Sequence, residues 1–405
     1  MTTVSDVDGL RHLDEDGVLE LASALVRIRT VADPAAPVVE APAAALVADL
    51  MRSFGWLVSV TDVAPGRPNV VAIVNGTETG PGTRRTLMFE GHSDVVTEGD
   101  PADWTFDPFG GDVVDGRLRG RGSADMKGGV AAMIYAARAV QLSGFAGRIV
   151  VAVLADEEGL MLGAKAFAAS GLAAEIDGVI VCEPEAGEIC PTSKGALRVG
   201  IELTGRMAHG AMPQMGLNPI PALAQLLLGL AELEEQLQRR YPAHPDLGQF
   251  YLTPTVLAAG TPAQLNVISA TATLYLDIRT IPGIDHRGLV DVLGMLSEQV
   301  AAGAGVTAAV TVLDDRPPVD LRRDAPVVVA LAAAHEQVTG APAVYGGVPG
   351  TTDGTILTRD AGLETVVYGP GGKWIAHQAD EFVEVADLLQ SARVLAVAAS
   401  RFLAT

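Results

Sequence analysis

The 405-residue chain has little cysteine, few aromatic side chains and no excess of basic residues. Its two cysteines, Cys182 and Cys190, are too few to cross-link a chain of this length, so we expect two buried thiols in a reducing compartment. With 28 Lys and Arg against 49 Asp and Glu, the net charge is −21. Such a chain repels phosphate backbones, so a nucleic-acid partner is not expected.

Long hydrophobic runs and a basic leader are also missing. The apolar stretches at 149–155 and 327–334 are well short of the roughly 20 residues that span a bilayer. The first residues carry acids where a signal peptide has a basic and then an apolar segment. We therefore expect a cytoplasmic protein without a membrane partner. Global disorder is excluded, because 49% hydrophobic residues are enough to build a core.

Short β-branched runs alternate with helical patterns over much of the chain. Helical spacing of apolar residues predicts helices at 15–29, 41–54 and 126–142. Strands are predicted at 69–74, 85–90, 148–155, 178–182 and 364–368. Because helical stretches separate several of these near-continuous apolar runs, the pattern predicts an α/β fold with a mainly parallel sheet sandwiched by helices.

The middle of the chain has a different pattern. The predicted elements are strand 197–204, helix 219–239, strands near 250–258 and 266–280, helix 286–302 and strand 305–313. The order β-α-β-β-α-β predicts an inserted ferredoxin-like α+β domain, which we place at 194–315. Residues 1–193 and 316–405 then form the α/β domain, and the DDRPP segment at 314–318 is the expected return linker.

Three predicted strands end in acidic or imidazole side chains. His92 and Asp94 come after strand 85–90, Glu157 and Glu158 after strand 148–155, and Glu183 after strand 178–182. Ligands bind beyond the carboxyl ends of strands in open α/β sheets, so we expect these side chains to converge in one crevice. Converging carboxylates repel one another or take up protons unless cations compensate their charge. The pattern therefore predicts a site for divalent ions.

Each motif has a structural alternative when it is taken alone. His92 and Asp94 can make ordinary hydrogen bonds, although the Asp94 carboxylate can also orient a ligating imidazole. Glu157 and Glu158 can be a solvated pair, and Asp125 can be the N-cap of the helix after it. Position favours function, because adjacent side chains at a strand end point in different directions, so one can bind a metal while the other faces a substrate.

Six segments together resemble the dinuclear-metal amidohydrolase and exopeptidase family, which includes acetylornithine deacetylase, succinyl-diaminopimelate desuccinylase, aminoacylase-1 and glutamate carboxypeptidase. The segments are GHSDVV, WTFDPF, DGRLRGRGSADMKGG, LADEEG, CEPE and AHQADEFV. The similarity runs from about residue 70 to 385. Single motifs are common, but the ordered set is specific.

The resemblance implies a ligand set for two divalent ions. His92 and Glu183 would bind one ion, Glu158 and His377 the other, and Asp125 would bridge both. Zinc is the expected ion, with cobalt and manganese as alternatives, since imidazole and carboxylate ligands suit all three. Without the resemblance, His377 is a loop histidine like any other.

The resemblance also assigns the chemistry. Glu157 is the expected general base, which takes a proton from the metal-bridging water and passes it to the leaving nitrogen, with Asp94 as a further catalytic residue. This route needs no covalent intermediate, and the chain has no G-x-S-x-G motif. The expected function is hydrolysis of the amide bond of an N-acyl amino acid. A metallo-exopeptidase acting on short peptides and a metal-free binding protein are the alternatives.

The inserted domain is expected to act as a lid and dimerisation domain, and the α/β domain as the catalytic, metal-binding one. The resemblance implies a homodimer in which His209 reaches the oxyanion of the other subunit's site. Asn266 and Arg279, expected on one strand, would bind the substrate. The loop that would offer donors to the substrate carboxylate comprises Gly350, Thr351 and Thr352.

Glu185 stands where many members of the family have Thr or Ser. We expect this additional carboxylate to favour a substrate with a cationic side chain, or to exclude an anionic succinyl group.

Overall fold

A computed structural model describes residues 10–31, 40–77 and 85–404 of the chain. Its described residues divide into two compact units. Unit 1 comprises the described residues of Met1–Thr192, Leu321–Val348 and Thr352–Thr405, and unit 2 comprises Ser193–Asp320 and Pro349–Thr351. The predicted insertion at 194–315 lies within unit 2, which continues beyond it to Asp320.

Helices and strands alternate along most of the described chain. The helices are α1 (Glu15–Val26), α2 (Ala41–Ser53), α3 (Gly128–Ser143), α4 (Leu162–Ala168), α5 (Ile220–Arg240), α6 (His286–Ala304), α7 (Pro326–Thr339), α8 (Asp353–Ala361) and α9 (Val385–Leu403). The strands are β1 (Leu57–Ala64), β2 (Arg67–Asn75), β3 (Thr86–His92), β4 (Val113–Val114), β5 (Arg117–Arg119), β6 (Arg148–Leu154), β7 (Gly178–Val181), β8 (Ile189–Ser193), β9 (Gly195–Thr204), β10 (Ala208–His209), β11 (Tyr251–Ala259), β12 (Val267–Ile268), β13 (Thr271–Thr280), β14 (Thr307–Arg316), β15 (Val319–Asp320), β16 (Tyr345–Val348), β17 (Thr365–Val367) and β18 (Phe382–Glu384).

Unit 1 is built on a mixed sheet with a parallel centre. Its strands have the order β1-β2-β6-β3-β7-β17-β8, and β16 pairs with β8. β6, β3, β7 and β17 are mutually parallel, whereas β1, β2 and β8 join antiparallel at the two sides. The predicted α/β class with a mainly parallel sheet is confirmed. The short strands β4, β5 and β18 form a separate antiparallel sheet.

Helices cover both faces of this sheet, as predicted. Successive residues of β3 alternate between two apolar cores, with Leu87 and Phe89 in one and Met88 in the other. The first core also contains residues of α1, α2, α3, α7 and α9, and the second contains residues of α4 and α8. Full burial of such side chains stabilises the fold by about 1.5–3 kcal/mol each. The central strands are therefore rigid supports for the loops at their carboxyl ends.

Unit 2 has the ferredoxin-like order β9-α5-β11-β13-α6-β14. Its antiparallel sheet has the strand order β11-β13-β9-β14, and one apolar core joins α5 and α6 to the sheet. Asp285 caps the N-terminus of α6 by accepting from two backbone N–H groups. A separate two-stranded ribbon is formed by β10 and β12.

The predicted return linker at 314–318 is wrong in its first half. β14 continues to Arg316 after a register shift between Val312 and Asp314. Charged residues persist in this strand because they are paired: Asp314 accepts from Arg198 at 2.9 Å and forms an ion pair with Arg316 at 2.8 Å. Local composition alone could not show those partners.

Both cysteines are free and buried, as predicted. Among the described residues, we find no helix with the length and apolarity that crossing a membrane requires.

Candidate metal centre

Three predicted site segments lie at the ends of adjacent parallel strands of unit 1. β3 lies between β6 and β7 and is parallel to both. His92 is the last residue of β3, residues 156–158 come shortly after β6, and Glu183 comes shortly after β7. The fold therefore brings the three segments to the same edge of the sheet, where side chains from neighbouring strands can meet.

Asp125 comes from an irregular turn and not from a helix cap. The N-cap residue of α3 is Lys127, and Asp125 has extended backbone angles (φ −116°, ψ 95°). Its peptide bond to Met126 is cis. The backbone N–H groups of Ala124 and Asp125 donate to one carboxylate oxygen of Glu381, at 3.0 and 3.1 Å. The N-cap alternative is wrong, and the Asp125 carboxylate is available to the site.

The five predicted ligands form two groups that share Asp125. In the first group, His92 Nε2 lies 3.3 Å from Asp125 Oδ1 and 3.3 Å from Glu183 Oε1. In the second group, His377 Nε2 lies 3.2 Å from Asp125 Oδ2 and 3.1 Å from Glu158 Oε1. Asp125 thus turns one carboxylate oxygen toward each imidazole, which is what a bridging ligand requires.

The spacing of these donor atoms fits divalent ions. Ligand atoms about 2.0–2.2 Å from a tetrahedral ion lie roughly 3.3–3.6 Å from one another. The four separations between an imidazole nitrogen and a carboxylate oxygen in these groups are 3.1–3.3 Å, close to that range. The donor set of imidazole and carboxylate is one that zinc and similar ions prefer.

The protonation of His92 supports the same conclusion. Its Nδ1 lies 2.9 Å from the carbonyl oxygen of Asp94, which accepts but cannot donate, so Nδ1 carries the proton. In the neutral imidazole, Nε2 then carries the lone pair, and it lies 3.3 Å from a carboxylate oxygen of both Asp125 and Glu183. Among the described residues, this buried atom has no hydrogen-bond partner. A divalent cation placed between these groups would satisfy all of them.

The pKa values of the site residues show that the buried carboxylates lack compensating positive charge. Burial raises the pKa of Glu183 to about 8, and the Asp125 carboxylate adds to that shift. Burial likewise raises the pKa of Glu157 well above its ordinary value. Burial would lower the pKa of His92, but the Glu183 carboxylate, together with the nearby Asp125 carboxylate, outweighs this effect and raises the pKa. Two divalent ions would supply the missing charge.

Glu157 is buried beside the first group without belonging to either group. Its Oε2 lies 3.9 Å from His92 Nε2, beyond hydrogen-bond distance. The neighbouring Glu158 turns instead toward His377, so the two adjacent acids diverge. Asp94 holds both in place, because its two carboxylate oxygens accept from the backbone N–H groups of Glu157 and Glu158 at 3.2 Å each.

His92 has two contacts with Asp94, and the expected one, with the Asp94 carboxylate, is the longer. His92 Nδ1 is 3.5 Å from Asp94 Oδ1 but 2.9 Å from the Asp94 carbonyl oxygen. The backbone of Asp94 therefore orients the imidazole, and its side chain orients the turn that carries the acid pair.

Comparison with known proteins places the chain in a family. The sequence profile of peptidase family M20/M25/M40 matches residues 88–401, well over half of the chain. The chain belongs to this family. M20 members are metal-dependent, and curated relatives of this chain include proteins named as deacylases, so the protein is a hydrolase of amide C–N bonds.

Two curated relatives match over most of the chain. The chain is 33% identical over 392 residues to the succinyl-diaminopimelate desuccinylase of Methylobacterium radiotolerans, covering 93% of this chain and 94% of that protein. It is 31% identical over 342 residues to the acetylornithine deacetylase of Vibrio vulnificus, covering 83% and 85%. A dinuclear metal-binding M20 peptidase from Bacillus subtilis has the same fold, with a TM-score of 0.70 at 18% identity over 95% and 98% of the two chains.

Sequence reasoning missed the residues of this M20 chain that hold the acid-bearing turn. Arg67 and Asn69 both lie in β2. Arg67 forms an ion pair with Asp156. Asn69 accepts from the Ala155 N–H at 3.0 Å and donates to the Gly163 carbonyl at 2.9 Å. Their partners are distant in the sequence, so no local pattern reveals them. Their polarity at the start of an otherwise apolar strand is the signal that could have found them.

Glu381 was missed for the same reason, although it lies within the AHQADEFV segment. Besides accepting from the Asp125 backbone, it pairs with the buried Arg121, whose guanidinium lies 5.2 Å over the Trp104 ring. Glu381 thus supports the turn of the bridging aspartate.

Glu185 does not present a free carboxylate. It is 3% exposed, and Lys373 Nζ lies 2.8 Å from its Oε2. The thiol of Cys190 donates to the same oxygen at 3.3 Å. Because the ammonium compensates the charge of Glu185, the expected selection of cationic substrates by this residue has no support in the structure.

The candidate substrate residues of unit 2 fall in two places. His209 in β10 pairs with Val267 in β12, and the Gly210 N–H donates to the Asn266 carbonyl at 2.7 Å, so His209 and Asn266 lie side by side. Arg279 lies in β13, in another sheet, with its Nε 2.6 Å from Asp277 Oδ1. The single strand expected at 266–280 is wrong, because the chain leaves the ribbon at 269–270 before β13 begins.

The loop residues predicted at 350–352 have partners of their own. Thr352 Oγ1 accepts from the Gly354 N–H at 3.2 Å and so caps α8. Thr351 Oγ1 accepts from Arg316 Nη1 at 3.4 Å. Gly350 has open space where a Cβ would stand. Their role toward a substrate stays a prediction.

Proposed function

We propose that this M20 chain is a deacylase that hydrolyses the amide bond of N-acyl amino acids, with two divalent ions held by the two groups around Asp125. The observation that carries the proposal is the position of Asp125, with Oδ1 beside His92 and Oδ2 beside His377. The names of the relatives with 33% and 31% identity, a desuccinylase and a deacetylase, favour an acyl group on the substrate nitrogen.

Zinc is the proposed ion at both positions, with cobalt and manganese as the competitors to be tested. His92 and Glu183 would hold one ion, His377 and Glu158 the other, and Asp125 both. When bound, such ions polarise a carbonyl and lower the pKa of a shared water from 15.7 towards about 7.

Glu157 is the proposed general base. It lies in the first position of the acid pair, buried and outside both ligand groups, so its carboxylate is free to accept a proton from the attacking water. The same group then passes that proton to the leaving nitrogen as the amide bond breaks. Asp94 keeps Glu157 in place by accepting from its backbone N–H.

A metallo-exopeptidase would use the same residues, and the Bacillus subtilis structure with this fold is a peptidase. The two functions differ in whether a free substrate amine is accepted, which depends on the pocket and not on the metal ligands. The metal-free alternative is disfavoured, because all five ligand candidates and Glu157 are present.

The assay that separates these functions uses the full chain reconstituted with Zn²⁺, Co²⁺ or Mn²⁺. We expect hydrolysis of N-acyl amino acids, with N-acetylornithine and N-succinyl-diaminopimelate among the panel, to exceed that of dipeptides by at least about tenfold in kcat/KM, or roughly 1.4 kcal/mol. The chelator-treated chain is the control. Faster cleavage of dipeptides would assign an exopeptidase, and inertness with every ion and amide would refute both enzymes.

Other expectations stay proposals at this stage. We propose that His209, Asn266 and Arg279 contribute to substrate binding, and that the protein is a cytoplasmic homodimer. The neighbouring His209 and Asn266 support a common role for these two residues.

A further inference from the structure

His377 is presented by a segment of irregular backbone. The described residues 368–381, between β17 and β18, form turns without a helix or strand. His377 itself has a positive φ of 65°, and its side chain is 53% exposed. Neither a regular element nor a packed core therefore fixes its imidazole. Other contacts of the segment must decide where Nε2 lies.

The segment is attached to unit 1 at its two ends. At the first end, the Gly371 carbonyl accepts from the Ala186 N–H at 2.9 Å, and the Gly371 N–H donates to Asp387 Oδ2 at 2.7 Å. At the other end, the Asp380 carboxylate accepts from the backbone and hydroxyl of Thr105, at 2.7 and 2.9 Å.

Between these attachments, Lys373 makes the ion pairs that tie the segment down. Across residues 372–379, the long-range hydrogen bonds and ion pairs found in the described chain belong to Lys373 and to His377 itself. Lys373 Nζ lies 2.8 Å from Glu185 Oε2 and 2.7 Å from Glu188 Oε2. The Lys373 side chain is 11% exposed, so solvent screens these pairs less than it screens surface pairs.

These pairs connect the two ligand groups. Glu185 is two residues after Glu183, a ligand candidate of the first group, and Lys373 is four residues before His377, a ligand candidate of the second. Glu185 is anchored in turn by the Cys190 thiol. A displacement of Lys373 would therefore shift His377, which has few other supports. It would shift Glu183 less, because Glu183 lies directly after Cys182 and the core strand β7.

We propose that Lys373 is a positioning residue for the second metal ion: by binding Glu185 and Glu188 it holds residues 371–377 so that His377 reaches Asp125 and Glu158. This inference rests on the proposed function, since it assumes the two-ion site. Without the ammonium, both ion pairs that hold the segment against Glu185 and Glu188 would be lost, and these two carboxylates would lack a compensating charge. Loss of a group that orients a metal ligand typically weakens metal affinity 10–100-fold.

The test titrates metal-free protein with Zn²⁺ in competition with a chromophoric chelator, so that the first and second dissociation constants are resolved. The variants are Lys373→Met, Lys373→Arg and, as a matched control in α4, Lys165→Met. We expect Lys373→Met to weaken binding of the ion in the second group, around His377, 10–100-fold. Binding of the ion in the first group, around His92, should be unchanged. Lys373→Arg should recover most of that loss, because a guanidinium can pair with both carboxylates. Lys165→Met should alter neither constant.

The melting temperature of each metal-free variant shows whether it is folded. If Lys373→Met does not fold, Glu188→Gln replaces it in the test. This change removes one of the two ion pairs and should weaken binding of the ion in the second group by a smaller factor. Equal weakening of both ions, or an unchanged second ion, would overturn the inference while leaving the two-ion hydrolase intact. A wild-type chain that binds fewer than two ions would instead refute the proposed function, and this inference with it.

Discussion

Glu157 and Glu158 show how adjacent residues of one type can take different tasks. Both come shortly after the core strand β6, and both backbone N–H groups are held by Asp94. Their side chains nevertheless diverge, with Glu158 Oε1 at 3.1 Å from His377 and Glu157 Oε2 at 3.9 Å from His92. Glu158 thus lies in the second ligand group, whereas Glu157 is beyond hydrogen-bond distance of His92 and outside both groups. The proposed division into ligand and base rests on that difference.

Replacing either Glu157 or Asp125 separates these tasks. We expect Glu157→Ala to retain both ions and to lose hydrolysis by about 10²–10⁴-fold, the usual contribution of a general base. Asp125→Ala should lose the ions as well, because Asp125 faces both imidazoles. Metal content and turnover are measured on the same preparations. Loss of metal in Glu157→Ala would mean that base and ligand have been interchanged.

At the scale of elements, the close approach of α3 to the end of β7 supports the site. A Cβ at Gly129, in the first turn of α3, would lie 2.0 Å from the carbonyl oxygen of Cys182, the residue before Glu183. A backbone atom cannot yield to a methyl group as a flexible side chain can. Helix and strand end are therefore held at a distance that only glycine permits.

Gly129→Ala should accordingly destabilise the protein. Overpacking of this kind costs about 1–3 kcal/mol, and here the clash is with backbone. The matched control is Gly294→Ala within α6, where no atom lies within 4 Å of the added Cβ; this change should raise stability by about 0.4–1 kcal/mol. Thermal unfolding of both variants is compared with the wild type. A neutral effect of Gly129→Ala would show that α3 can move away from β7.

The elements that sequence patterns predict well are those with a strong local signal. β3, β6 and β7 lie close to their predicted bounds because each is a short apolar run buried on both faces. The break between β12 and β13 was missed, because residues 266–280 keep a strand-like composition through the turn. The extension of β14 into acidic sequence was missed because the pairing of Asp314 with Arg198 joins residues far apart in the chain.

At the scale of the whole molecule, the net charge is −21 and a group of acids is buried, so we expect bound cations to contribute strongly to stability. We expect chelation to lower the melting temperature and saturation with zinc to raise it. At a free-ion concentration 100 times the dissociation constant, one site contributes about 2.7 kcal/mol. Calorimetry with and without chelator measures the shift. Asp125→Ala is the control, and an equal response in that variant would place the ions elsewhere.

The sequence by itself determined the α/β class, the ferredoxin-like insertion and the strand ends at which His92, Glu157, Glu158 and Glu183 stand. These features come from local periodicity and from the rule that parallel strands end at one edge. The tertiary structure alone decided that Asp125 faces two imidazoles and that Asp94 binds the backbone N–H groups of the acid pair. It also decided that Lys373 compensates the charge of Glu185. Each of those contacts joins residues far apart in the chain, and short-range patterns carry no record of which distant charges will meet.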